Sequence, residues 1–281
     1  MHPRAIALVL LSAFLHALWN ALLKRGDHLE ARSAATFGGA ALLSAGIAAL
    51  TPGASFPNRE ALLWALASGV FEGVYIVCLV RALSRASLGW AYTWMRGSAV
   101  LLVWPLSQLL SGERPTLLTA ASAGLVLLGL LAVGVRLDER HGPRAWPWTL
   151  GAGTAIAAYN LCYKGALGHG AKPTGLFAVS LGLGLMIQFG EMATRRTLPS
   201  PVQMFGKPLT LALTSAVCAG GFLFYLVSMQ TEGAARVTTL RNTSVVFALL
   251  LAWGMGERPG RNGWLGAALV GLGAAGLGWK P

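Results

Sequence analysis

The chain has 281 residues, of which 55% are hydrophobic and only 11% are charged, and it carries a formal net charge of +12. A soluble domain has about 25% charged residues, so too few solvated side chains remain here to cover a water-facing surface. Three cysteines cannot form a disulfide framework in a chain of this length, and the high apolar content excludes disorder, which leaves a polytopic membrane protein.

Ten apolar segments follow one another along the chain, separated by short polar connectors. Each is close to the roughly 20 residues that a membrane-spanning helix needs. The sequence therefore predicts an all-α polytopic membrane protein with ten transmembrane helices, at residues 5–23, 33–51, 61–80, 88–111, 117–135, 146–165, 175–193, 209–228, 237–255 and 264–279. We expect the first segment to be a retained helix, because Asn20 and Lys24 occupy the place of the small residues at a signal-peptide cleavage site.

The basic residues lie singly or in pairs between the apolar segments, as Lys24-Arg25 and Arg195-Arg196 do. No basic face interleaved with aromatic residues is present, so we expect lipid headgroups as their partner and no nucleic acid. Connectors after odd-numbered segments hold 13 Lys and Arg residues, and the other side of the membrane holds seven. The positive-inside rule then predicts that both termini lie outside.

The chain divides into two similar halves, 1–140 and 141–281, on either side of a polar linker at 136–144. Four motifs of the first half recur in the same order in the second half, with offsets of 140, 150, 145 and 144 residues. The pairs are Trp19-Asn20 with Tyr159-Asn160, Tyr75 with Tyr225, Arg96-Gly97-Ser98 with Arg241-Asn242-Thr243-Ser244, and Gly112-Glu113-Arg114-Pro115 with Gly256-Glu257-Arg258-Pro259. Four collinear pairs in equivalent helices predict an internal repeat.

The number of segments in each half determines how the halves are related in the membrane. Five segments are an odd number, so each half ends on the face opposite to its start, and the second half is inserted upside down. Many secondary transporters obtain two gates around a central site from such inverted repeats. The sequence therefore predicts two inverted five-helix repeats and alternating access between them.

The five-plus-five pattern, the two Gly-Glu-Arg-Pro corners and the Trp19-Asn20 pair resemble the EamA family of the drug/metabolite transporter superfamily. The resemblance covers essentially the whole chain. It implies a secondary carrier, often an exporter of amino acids or other small metabolites, with a cavity between the halves. Several carriers of this superfamily have their termini inside, which disagrees with the Lys and Arg count, so the orientation stays open.

The remaining expectations concern partners and competing functions. We expect a bacterial inner (plasma) membrane protein with a small-molecule substrate, most closely an amino acid or related compound, and with protons as a candidate partner. No cofactor, metal or enzymatic activity is expected, because the sequence lacks a Walker A motif, a Gly-x-Ser-x-Gly elbow and paired intramembrane aspartates. A channel is the alternative, although no filter segment is evident. The 36 glycines suit close packing within a monomer or a homodimer.

Arg96 and Arg241 lie inside otherwise apolar segments at equivalent positions of the two halves. One interpretation is that they hold an anionic substrate group such as a carboxylate. The alternative is that both snorkel to the headgroups, which inversion would place on opposite faces, one near each gate. In either case we expect the two to affect substrate binding from opposite faces.

Glu72 lies near the middle of the third segment, and its counterpart in the second half is Phe222. An ionisable group at this depth is costly and usually lines a pathway, so we predict that Glu72 couples transport to protons and meets a cationic substrate group. The alternative is a protonated carboxyl group in a helix contact. His16 is a second candidate proton relay, or else a packing residue.

Four further residues complete the candidate site. Asn20 and Asn160 either join helices by hydrogen bonds or contact substrate, with the former favoured. Tyr75 would suit an aromatic substrate. Trp94 follows Trp90 and Tyr92 at the start of the fourth segment, where these rings form either an interfacial belt or a stacking wall for a ligand.

Overall fold

The computed structural model describes residues 1–24, 28–86, 88–134, 143–254 and 260–279. The described residues form helices and connecting turns, with no strand among them. The helices are α1 (Pro3–Lys24), α2 (Leu29–Leu50), α3 (Arg59–Leu83), α4 (Leu88–Ser111), α5 (Leu117–Gly134), α6 (Trp146–Gly168), α7 (Pro173–Thr194), α8 (Pro201–Phe205), α9 (Pro208–Thr231), α10 (Ala234–Arg241), α11 (Ser244–Gly254) and α12 (Arg261–Gly278), with a 3₁₀ turn at Pro143–Ala145 before α6. The predicted all-helical class is confirmed.

Five of the described helices are long and apolar enough to cross a membrane, judged by length and composition. They span Pro3–Leu23, Glu30–Leu50, Arg59–Ala82, Pro173–Thr194 and Pro208–Thr231. The number ten therefore stays a prediction. Two predicted features, residues 136–142 of the central linker and the second corner at 256–259, lie outside the described residues.

Local sequence explains where several helices begin and end. The side chain of Asn58 accepts a hydrogen bond from the backbone N–H of Ala61 at 2.8 Å, which caps the start of α3. Pro173 and Pro208 open α7 and α9, where a missing N–H costs nothing. After α4 the chain turns at Gly112, whose φ of 64° favours a residue without a side chain.

The ninth predicted segment differs from the observed structure. The sequence predicts one helix at 237–255, whereas the structure has α10 and α11 with a break at Asn242 and Thr243. The Thr243 hydroxyl donates to the carbonyl of Leu240 at 2.9 Å, and the Asn242 amide donates to the carbonyl of Thr238 at 3.4 Å. Such short polar side chains compete with the helical backbone, which makes a break possible here.

Equivalent helices of the two halves run antiparallel to each other. Along α4 and α10, Arg96 donates a hydrogen bond to Asn242, and Trp104 donates one to Thr239. Trp104 comes after Arg96 in the sequence, whereas Thr239 comes before Asn242, so the two helices run in opposite directions. In α5 and α12, a Cβ on Gly129 would lie 2.6 Å from the Gly266 carbonyl oxygen. Further along α12, a Cβ on Gly273 would lie 2.5 Å from the carbonyl oxygen of Ser122, which is earlier in α5, so these helices also run antiparallel, and only small residues permit the approach. The second half is therefore inverted relative to the first in these helix pairs.

The two halves also exchange their packing partners symmetrically. The first helix of one half packs against the third of the other, as α1 does against α9 and α6 does against α3. The second helices pack together as α2 and α7. This arrangement leaves the space between the halves to be lined by both repeats, and the candidate site lies there.

Candidate functional site

A cavity of about 730 Å³ lies between the two halves. Residues of α1 to α6 and of α9 to α11 line it. The cavity extends from His16, inside α1, to Glu30 at the start of α2 and Ser84 at the end of α3. These ends lie on the face opposite to the start of α1. The cavity therefore reaches the face that carries the connectors after the odd-numbered predicted segments.

Two arginines from equivalent positions meet at one histidine in this cavity. Arg96 Nη2 lies 2.6 Å from His16 Nε2, and Arg241 Nη2 lies 3.4 Å from His16 Nδ1. Arg96 Nη1 also donates to Asn242 Oδ1 at 3.0 Å. Because both guanidinium groups reach the same ring, the alternative that both snorkel to headgroups on opposite faces is wrong. Their effect on substrate binding stays a prediction. Their convergence follows from the antiparallel crossing of α4 and α10.

Arg241 is held in aromatic surroundings. The residue is only 5% exposed, and its guanidinium carbon lies 4.2 Å from the ring centres of both Phe222 and Tyr225. Its Nε is buried and has no hydrogen-bond partner among the described residues. A buried cation that is stabilised mainly by ring faces has capacity left for an anionic partner.

Glu72 occupies another part of the cavity wall and is 3% exposed. Its Oε2 accepts hydrogen bonds from the Tyr163 hydroxyl at 2.8 Å and from Ser180 Oγ at 2.7 Å. The described residues provide no hydrogen bond to Oε1. The carboxyl group is thus fixed through one oxygen, and the other is available to a ligand.

Hydrogen bonds between helices support the cavity wall on the side of the second half. The Tyr225 hydroxyl donates to Asn160 Oδ1 at 2.8 Å, and it lies 2.7 Å from Thr238 Oγ1. These hydrogen bonds join α6, α9 and α10. Asn160 therefore joins helices, which is one of the two roles that the sequence suggests for it. The Asn20 amide donates to the His16 carbonyl at 2.6 Å within α1.

Seven of the eight candidate residues line this one cavity: Glu72, Arg96, Arg241, Tyr75, His16, Asn20 and Asn160. Trp94 does not line it. Its ring lies 4.9 Å from that of Trp146, at the end of the bundle where α4 begins. The side chains of Trp90 and Tyr92 are not among those that the structure describes. Within the described part of the chain, no three His, Cys, Asp or Glu side chains come together to hold a metal ion.

Sequence reasoning missed two residues that hold Glu72, namely Tyr163 and Ser180. Tyr163 follows Asn160 by three positions on α6, so helical spacing alone would have placed both on one face. Ser180 carries no comparable signal, because one serine in an apolar helix looks like any other. Phe222 and Tyr225 were noted only as counterparts of Glu72 and Tyr75, and their contact with Arg241 depends on tertiary structure.

The face opposite to the cavity mouth is held by polar contacts at helix ends. Glu113, which follows α4, accepts hydrogen bonds from the backbone N–H groups of Ala235 and Arg236 at 3.0 and 3.2 Å and from Ser107 Oγ at 2.6 Å. Lys164 Nζ donates to the carbonyl of Glu232 at 2.8 Å. The first Gly-Glu-Arg-Pro corner therefore follows the end of α4 and also caps the start of α10 in the other half.

Comparisons with known proteins agree with this architecture. A solved structure described only as a crystal structure of a protein is 18% identical and superposes with a TM-score of 0.74, covering 97% of this chain and 94% of its own. At that identity the likeness shows the fold alone. A search of curated proteins returned no significant match. The sequence profile of the EamA-like transporter family matches twice, at residues 3–135 and 144–279. The chain therefore belongs to the EamA-like transporter family and consists of two EamA repeats.

Proposed function

We propose that this protein is a secondary active transporter that exports a small organic metabolite, most closely an amino acid or related compound, across a bacterial inner membrane. The cavity exposes its site to one face, and the inverted halves supply an equivalent route to the other. The observation that carries the proposal is the convergence of Arg96 and Arg241 on His16, inside a cavity that also contains Glu72.

The charges of the cavity suit a carboxylate that belongs to a larger, partly apolar molecule. The two guanidinium groups would bind the carboxylate, Glu72 would accept an ammonium group through Oε1, and Tyr75, Phe222 and Tyr225 would contact an apolar side chain. A cationic substrate group and a proton would then compete for one carboxyl group. Exchange of substrate for protons follows from that competition.

Counterflow in proteoliposomes tests the proposal. Vesicles loaded with unlabelled amino acids or small organic acids, one compound at a time, should accumulate the same labelled compound in a saturable way. Arg241→Ala should strongly reduce this uptake at low substrate concentration, whereas His169→Ala, at the end of α6 and outside the cavity, should retain it. An ohmic current without counterflow would instead identify a channel, and an absence of both would contradict the proposal.

A further inference from the structure

The imidazole of His16 is in a place where neither of its neutral forms can satisfy its neighbours. Nε2 faces Arg96 Nη2 at 2.6 Å, while Nδ1 faces Trp19 Nε1 at 3.3 Å and Arg241 Nη2 at 3.4 Å. Arginine and the tryptophan indole only donate hydrogen bonds, so both ring nitrogens need a lone pair. A neutral imidazole has only one.

Each tautomer therefore leaves one N–H group pointing at another donor. If Nε2 accepts from Arg96, then Nδ1 carries the proton and opposes Trp19 and Arg241. If Nδ1 accepts, then the proton on Nε2 opposes Arg96. A protonated ring would oppose donors on both sides and would add a third positive charge to two arginines.

A carboxylate would satisfy the same set of donors. It has two oxygens that accept hydrogen bonds, and its negative charge would neutralise one of the two guanidinium groups. The buried Nε of Arg241, which lacks a partner among the described residues, is a second and independent sign that this site is built for an acceptor that the protein does not supply.

We propose, on the basis of the transport function above, that His16 occupies the position of the substrate carboxylate in the empty carrier and that a carboxylate displaces its ring on binding. His16 is then a residue that competes with substrate and sets specificity, because only a ligand with acceptors for both arginines can displace it. A neutral amide, which brings one acceptor oxygen and two N–H donors, would displace the ring poorly. Releasing the substrate allows His16 to return to the arginines, where its single lone pair replaces the two acceptor oxygens of the carboxylate.

Binding of benzoate to the purified full-length protein in nanodiscs tests this inference, with benzamide as the matched neutral probe. His16→Ala should bind benzoate about tenfold more tightly than the wild type, because the competing ring is gone, and benzamide should bind weakly to both. His169→Ala, which leaves the cavity unchanged, should bind benzoate like the wild type. Benzoate affinity that stays the same or falls in His16→Ala, or an absence of benzoate binding to both proteins, would overturn the inference.

A second measurement does not depend on a variant that might lose its fold. The chain has five histidines, so ¹⁵N labelling of histidine alone gives few ring resonances. Saturating benzoate should move the ring nitrogen resonances of one histidine, and benzamide should not. If no resonance moves while benzoate binds, the ring is not displaced and the inference is wrong.

Counterflow and the benzoate measurements together distinguish a failure of the transport proposal from a failure of the displacement inference. Displacement of His16 by benzoate without counterflow of any metabolite would count against the transport proposal alone. Counterflow of amino acids combined with unchanged or weaker benzoate binding in His16→Ala would count against displacement alone.

Discussion

The carboxylate of Glu113, at the end of the fourth helix of the first repeat, accepts a hydrogen bond at 3.0 Å from the backbone N–H of Ala235, in the first turn of α10. The bond links equivalent helices of the two halves on the face away from the cavity mouth. A carboxylate is well suited to a helix N-terminus, where N–H groups lack partners and the helix dipole is positive. Any opening of this face that separates α4 from α10 must break this bond.

Gly233→Ala should weaken this link. A Cβ at Gly233 would overlap the carboxyl carbon and both oxygens of Glu113, so the carboxylate would have to leave the N–H groups of α10. We expect a loss of about 1–2 kcal/mol in the free energy of unfolding, similar to the loss of a helix cap. Thermal unfolding of the purified protein measures it. Gly182→Ala is the control, because its Cβ meets nothing within 4 Å, and equal stability of the two variants would contradict the expectation.

Glu72→Gln should abolish pH-driven net transport and spare counterflow. Glutamine is neutral at every pH and cannot exchange a proton, whereas counterflow requires none to move. Its side-chain carbonyl can still accept from Tyr163 and Ser180, so thermal stability should change little. Uptake driven by an imposed pH gradient measures the effect, with Glu191→Gln as the control because Glu191 pairs with Arg81 and Arg195 outside the cavity. Unchanged pH dependence in Glu72→Gln would show that proton coupling lies elsewhere, and His16 would be the next residue to test.

Arg96→Ala and Arg241→Ala should both weaken substrate binding from the same face. Both side chains reach His16 in the cavity that extends to Glu30, so a ligand entering there meets them together. Losing one charge-assisted hydrogen bond should raise the apparent KM about tenfold or more. Uptake into right-side-out and inverted vesicles measures the constant on each face, with the exposed Arg85→Ala as the control. If the apparent KM rises on opposite faces in the two variants, each arginine serves its own gate.

The excess of Lys and Arg predicts that both termini lie outside. The 13 basic residues in the connectors after the odd-numbered predicted segments belong to the face that the cavity reaches, and the positive-inside rule assigns that face to the cytoplasm. A C-terminal fusion to a reporter that is active only in the cytoplasm should therefore be inactive, while a fusion after residue 140 should be active. The reverse result would give the orientation that several related carriers have.

The sequence alone determined the class of protein, the repeat and most of the candidate residues. Composition decides membrane residence because apolar surface must face lipid, and the four recurring motifs reveal the two halves without any coordinates. Glu72, Arg96 and Arg241 could be selected because an ionisable side chain inside an apolar segment is costly at any position in the fold.

Tertiary structure decided which of these residues meet. Arg96 and Arg241 are 145 positions apart, and their shared contact with His16 arises only because α4 and α10 cross antiparallel against α1. The hydrogen bonds from Tyr163 and Ser180 to Glu72, and the position of Trp94 outside the cavity, likewise depend on how helices pack. Periodicity places a residue on a helix face, but which neighbour that face meets is set by packing between helices distant in sequence.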